Sequence, residues 1–194
     1  ATVCIQTGTT TELNLADFFR LNGISYEALP IETNDEGKEN LFAGRCDVYT
    51  TDASGLSSTR AAAADPSKWL VLPEIISKEP LGPLVRHGDH QWGDVVRWSL
   101  NAMIIAEELG ITSENVDASK GSNVPEVLRL LGVEGSYGEM LELAPDWAYQ
   151  IIKQIGNYSE SYEANVGPDT PLEIARGLNA LWTQGGILYA PPFR

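Results

Sequence analysis

The feature that most narrows the fold is a change of hydrophobic period partway along the chain. Up to about residue 72, short apolar runs alternate with helical patterns; from Asp89 onward only helical patterns remain. The runs Thr2–Gln6, Ser25–Ile31, Cys46–Thr51 and Leu70–Leu72 read as strands. Between them lie expected helices at Thr9–Leu21, at 34–43 with Gly44 as its stop, and at Ala53–Ala64, ended by Asp65-Pro66. Such alternation predicts an α/β lobe with a mostly parallel sheet and helices on both faces. Beyond it, Trp92, Val95, Val96, Leu100, Met103 and Glu107 keep helical spacing to Leu109, and Gly110 supplies a stop. Further helices are expected at Pro125–Leu131, Ala144–Tyr158 and Pro171–Trp182. The boundary falls near residues 86–90, giving an α/β lobe at 1–88 and a helical C-terminal segment at 89–194.

Composition removes several function classes. Acidic residues outnumber basic ones 27 to 13, a net charge of −14, and such a surface repels nucleic-acid phosphates and anionic headgroups. No apolar run approaches the roughly 20 residues that span a bilayer, so no membrane insertion is expected. The start, ATVCIQTGTTTE, has neither the basic nor the long apolar region of a secretory signal. This fits a chain whose leader has been removed, or an internal portion. His87 and His90 flank Asp89, but no further His or unassigned Cys completes a metal set, and no nucleophile motif accompanies them. Neither a metal, a cofactor nor a catalytic residue is therefore assigned. The five tryptophans read as packing residues, and Arg60 is expected to face solvent. Cys4 and Cys46 fit either one disulfide or two buried thiols.

Two segments could carry binding chemistry. Gly8-Thr9-Thr10-Thr11-Glu12 follows a strand and opens a helix. In a parallel sheet, ligands bind beyond the carboxyl ends of the strands, and a helix N-terminus there offers free N–H groups that suit a carboxylate. Thr9-x-x-Glu12 is equally a capping box. Asp52 falls after the third strand, where it could pair with an ammonium group or simply cap the next helix. An anion-holding loop beside a cation-holding aspartate would make a site for a zwitterion.

The strings TVCIQTGTTTELNLADFFR, FAGRCDVYTTDASGL and LPEIISKEPLGPLVRHGDHQW closely resemble the general L-amino-acid-binding proteins of ABC importers. DWAYQIIKQIGNYSE, NVGPDTPL and GLNALWTQGGILYAPPFR continue the likeness over essentially the whole chain. The resemblance implies the second lobe of a type II periplasmic binding protein, with most of the first lobe lacking. It implies L-amino acids and the transporter's membrane subunits as partners, and a periplasmic location. Thr9 and Thr10 would hold the ligand α-carboxylate, and Asp52 the α-amino group. In that topology the first and third strands are neighbours, roughly 4.8 Å apart, which turns the preference for Cys4 and Cys46 towards a disulfide. The Trp92 face would then be covered by a second copy (a homodimer) or by an N-terminal lobe fragment. Two other readings exist: a dehydratase-like enzyme using Asp52 or Glu12 as general acid, and an interaction lobe that binds no solute.

Overall fold

A computed structural model describes all residues, Ala1–Arg194. Contacts divide it into two compact units, Ala1–Leu81 with Pro171–Ile174, and Gly82–Thr170 with Ala175–Arg194.

The first unit is built on three parallel strands, β1 (Thr2–Gln6), β2 (Glu27–Ile31) and β3 (Val48–Tyr49), in the order β2-β1-β3. Central β1 alternates as a strand must: Val3 and Ile5 pack on one face with Leu15, Phe19, Tyr26 and Ile76, while Cys4 packs on the other with Ile31, Cys46 and Tyr49. Helix α1 (Thr10–Leu21) supplies Leu15 to the first face. Helices α2 (Asn34–Phe42) and α3 (Ala53–Ala61) supply Leu41 and Leu56 to the second. Helices thus cover both faces of the sheet. Gly37 lets α2 approach closely, since a Cβ there would lie 2.6 Å from Ile31 Cδ1. The Cys4–Cys46 disulfide is present, with Cα atoms 5.7 Å apart. It ties β1 to the residue pair preceding β3.

Several sequence expectations fail in detail. Leu70–Leu72 forms no strand; Leu70 and Leu72 are 79% and 56% exposed. The three residues sit between a 3-10 turn at Pro66–Lys68 and Pro73, too short a stretch to gain ladder bonds that offset its ordering. The third strand keeps only Val48 and Tyr49 of Cys46–Thr51; just before it, Asp47 meets the start of β1, its amide donating to the Thr2 carbonyl at 2.9 Å and its carboxylate accepting from the Thr2 amide at 2.7 Å. Pro171–Trp182 is no helix either. Glu173 and Gly177 both take positive φ (52° and 48°), and only a 3-10 turn at Gly177–Asn179 forms.

The second unit begins with α4 (His90–Glu108), which Asp89 caps and which ends, as its sequence predicts, at the Gly110 stop with φ 68°. Short helices α5 (Val116–Ser119), α6 (Pro125–Leu130) and α7 (Tyr137–Met140) follow. The expected helix over 144–158 is two, α8 (Trp147–Ile155) and α9 (Tyr158–Asn165). Gly156 at φ 91° ends the first, and Asn157 starts the second through a full capping box with Glu160. Their core gathers Ala102, Ile105, Leu130, Leu131, Ile152 and Phe193. A partly buried ion pair, Arg176 to both carboxylate oxygens of Glu107 at 3.0 Å, closes it, with the guanidinium over the Tyr158 and Tyr162 rings. Of the apolar face read on α4, Val95 packs on this core, whereas Trp92 and Leu100 stay exposed. No helix is long and apolar enough to cross a membrane.

Candidate functional site

All three strands of the first unit run the same way, so their carboxyl ends share one edge, and each leads into a helix. The register pairs Cys4 with Tyr49. Thr9 and Asp52, five and three residues further on, therefore leave the same end of two neighbouring strands. The disulfide joins Cys4, within β1, to Cys46, just before β3.

At the β1–α1 loop, Gly8 takes φ 71°, a left-handed value that favours glycine. Thr9 is the N-cap: its Oγ1 accepts from the Glu12 amide at 3.3 Å and donates to the Gln6 carbonyl at 2.8 Å. The capping half of the Thr9-x-x-Glu12 reading is thus realised. Its second half is shifted by one residue, for Glu12 Oε2 accepts from the Gly8 amide at 2.8 Å rather than from Thr9. The Thr10 and Thr11 amides open the helix without a protein acceptor. Thr10 itself is exposed and its hydroxyl makes no protein hydrogen bond.

The β2–α2 loop repeats this design. Thr33 Oγ1 accepts from the Glu36 amide at 3.2 Å, and Glu36 Oε2 accepts from the Glu32 amide at 2.8 Å. Tyr49 at the end of β3 donates its hydroxyl to Asn34 Oδ1 at 2.8 Å, fixing α2 to the sheet. Burial raises the Tyr49 hydroxyl above its ordinary pKa, which keeps it a donor.

The third loop differs. Asp52 holds the N-cap position of α3, yet its side chain makes no capping hydrogen bond; only its carbonyl joins the helix, accepting from Leu56 at 2.9 Å. Its half-buried carboxylate is uncommitted. Spacing alone could not reveal this, since aspartate is also a preferred N-cap residue. The edge can therefore offer donors for an anion at α1 and an acceptor for a cation at α3. Arg60, two turns along α3, does not face solvent as expected: its side chain is 22% exposed, and Nη2 bonds Glu173 Oε2 at 2.7 Å. His87 and His90 form no cluster with other metal-ligating side chains.

A three-stranded parallel lobe with helices on both faces is the architecture of a periplasmic binding protein lobe. The solved structure titled "ABC transporter / periplasmic binding protein from Brucella ovis with glutathione bound" superposes at a TM-score of 0.94 and 51% identity, covering 100% of this chain and 61% of that one. In sequence, the whole chain is homologous to amino-acid-binding proteins of ABC transporters. It is 55% identical to the glutamate/glutamine/aspartate/asparagine-binding protein BztA of Rhodobacter capsulatus and 55% identical to the general L-amino acid-binding periplasmic protein AapJ of Rhizobium johnstonii. The chain spans 58% of the length of each of these two curated relatives. No protein-family model matches it.

Proposed function

We infer that this chain contributes a ligand-holding lobe to a solute-binding component of an amino-acid ABC transporter. Residues 1–88 act as the α/β binding lobe, with the Thr9–Thr10 loop taking the α-carboxylate and Asp52 the α-amino group of an L-amino acid. The observation that carries this reading is the Asp52 carboxylate, which occupies a capping position without capping. An aspartate released from the usual local task, beside a loop with free donors, fits a zwitterion better than either feature alone. The names of the relatives, all of them binding proteins, point the same way.

No bond chemistry is assigned. Glu12 is engaged with the Gly8 amide, and the relatives carry the names of binding proteins, which supports capture and release as the function. We propose a periplasmic location and delivery to the transporter's membrane subunits, a reading supported by the names of the same relatives. The helical segment from residue 89, with Trp92 and Leu100 exposed on α4, is covered in use by a further polypeptide, either an N-terminal lobe or a second copy. Sedimentation of the chain alone and with an N-terminal lobe supplied in trans distinguishes these.

Isothermal titration with a panel of L-amino acids tests the site. Heat that Asp52→Ala abolishes supports it. Heat that survives Asp52→Ala moves the site elsewhere, and no heat with any amino acid removes binding by this chain.

A further inference from the structure

We propose that Arg60 and Glu173 form a releasable latch, which straps Pro171–Ile174 onto the last turn of α3. The inference makes no use of Asp52 and stands apart from the binding reading above. Pro171–Ile174 belongs to the first unit, although the chain on both sides of it, Gly82–Thr170 and Ala175–Arg194, belongs to the second. Arg60, in the last turn of α3, reaches this strap twice. Its Nη2 donates to Glu173 Oε2 at 2.7 Å and, at a longer 3.4 Å, to the Leu172 carbonyl.

Two features of the closed contact oppose it. Glu173 sits at φ 52°, in the left-handed region that a residue with a Cβ enters at a cost. Arg60 Nε is buried with no hydrogen-bond partner, and a buried donor left unpaired is penalised, more so on a charged group. Release relieves both: the guanidinium is hydrated and Glu173 returns to an ordinary φ. Strain of this kind persists only where surrounding contacts impose it, and it gathers at switches. The neighbouring ion pair is built differently. Arg176 meets both oxygens of Glu107, with side chains only 15% and 9% exposed, and Tyr162 donates to the Ala175 carbonyl at 3.1 Å. Those contacts fix Ala175 and Arg176 within the second unit. At the latch the Glu173 side chain is 59% exposed, so water and salt compete directly for its carboxylate. The strap is therefore the part of this stretch that opens, and Ala175 and Arg176 are the part that stays.

Amide nitrogen relaxation by NMR reads the strap at Leu172, Glu173 and Ile174, with Asn179 and α3 as references. Wild type, Glu173→Gln and Arg60→Met are compared at low and at high salt. In wild type at low salt the three amides should show order parameters of about 0.85, and in both variants values below about 0.6. High salt loosens wild type towards the variants and leaves the variants unchanged, while the references stay rigid throughout. Arg60 is largely buried; should Arg60→Met fail to fold, Glu173→Gln alters an exposed side chain and reads the latch alone. Three rigid amides in Glu173→Gln at every salt concentration overturn the proposal, as do three mobile amides in wild type at low salt. Loosening that spreads through α3 and β1 also overturns it, since Arg60 would then be packing the lobe rather than holding a strap.

Discussion

Three helices start from the carboxyl edge of the sheet, and two of them start alike. At α1 and α2 a threonine caps the helix and a glutamate three residues on reaches back to the amide preceding the cap. At α3 the cap position is an aspartate with nothing to hold. A residue type at a capping position does not establish a cap; the hydrogen bond does. Thr9 and Thr33 carry out local work that any helix needs, and their resemblance shows that a Thr-x-x-Glu pattern alone is no sign of a ligand. Asp52 departs from the pattern, and the departure is the informative part.

The largest expected effect tests the frame that holds the compared loops in place. The Cys4–Cys46 bond closes a segment with a sequence separation of 42, and by the chain-entropy model its loss costs about 3–4 kcal/mol. Cys4→Ser with Cys46→Ser should lower the urea midpoint accordingly, with amide-exchange protection lost in β1 and β3 while α4 and α8 keep theirs. Uniform loss across both units would show that the two do not unfold separately.

Next comes Asp52→Ala. Because its side chain makes no capping bond, stability should change by less than about 0.5 kcal/mol, against about 1 kcal/mol for an aspartate that caps. Loss of a hydrogen bond to a charged ligand group should weaken amino-acid binding by about tenfold to a hundredfold or more. Thr33→Ala should do the reverse, lowering stability by about 1 kcal/mol with affinity untouched. Denaturant melts beside titration calorimetry separate the two. A capping-sized stability loss in Asp52→Ala, with binding intact, would erase the contrast on which the site rests.

How far the sequence carried each of these points depends on how local the deciding physics is. The period change, the Thr9 cap and the Gly110 stop are local, and they are legible. Thr9, Thr10 and Asp52 could be named from strand ends, but whether Asp52 caps depends on its side-chain rotamer, which spacing does not encode. The failures share a cause. Leu70–Leu72 has strand composition but no pairing partner, and Arg60 has a solvent-facing spacing but meets Glu173, which is 113 residues away. The helix expected at Pro171–Trp182 fails on the positive φ of Glu173 and Gly177, a backbone state imposed by tertiary surroundings.

The smallest expected effect sharpens the comparison with an aspartate of the opposite kind. Asp117 in the second unit is fully engaged: Lys153 Nζ bonds Oδ2 at 2.7 Å and Tyr149 donates to Oδ1 at 2.8 Å. The Lys153 and Tyr149 hydrogen bonds hold its carboxyl below the ordinary value, and the Asp117 carboxylate in turn holds the Lys153 ammonium above its own. A depressed carboxylate stabilises the fold above its unfolded pKa, and that contribution fades as pH falls through the folded value. A raised ammonium stabilises below its unfolded pKa and fades as pH rises through the folded one. The cluster therefore acts between about pH 4 and pH 10. Both groups are solvent-exposed, so screening leaves the effect small. Asp117→Asn should lower the melting temperature only slightly at pH 7, by an amount that fades as pH falls below about 4, with amino-acid affinity unchanged throughout. A drop in affinity would mean that an engaged aspartate in the helical unit also reports on the ligand, and that being uncommitted is not what distinguishes Asp52.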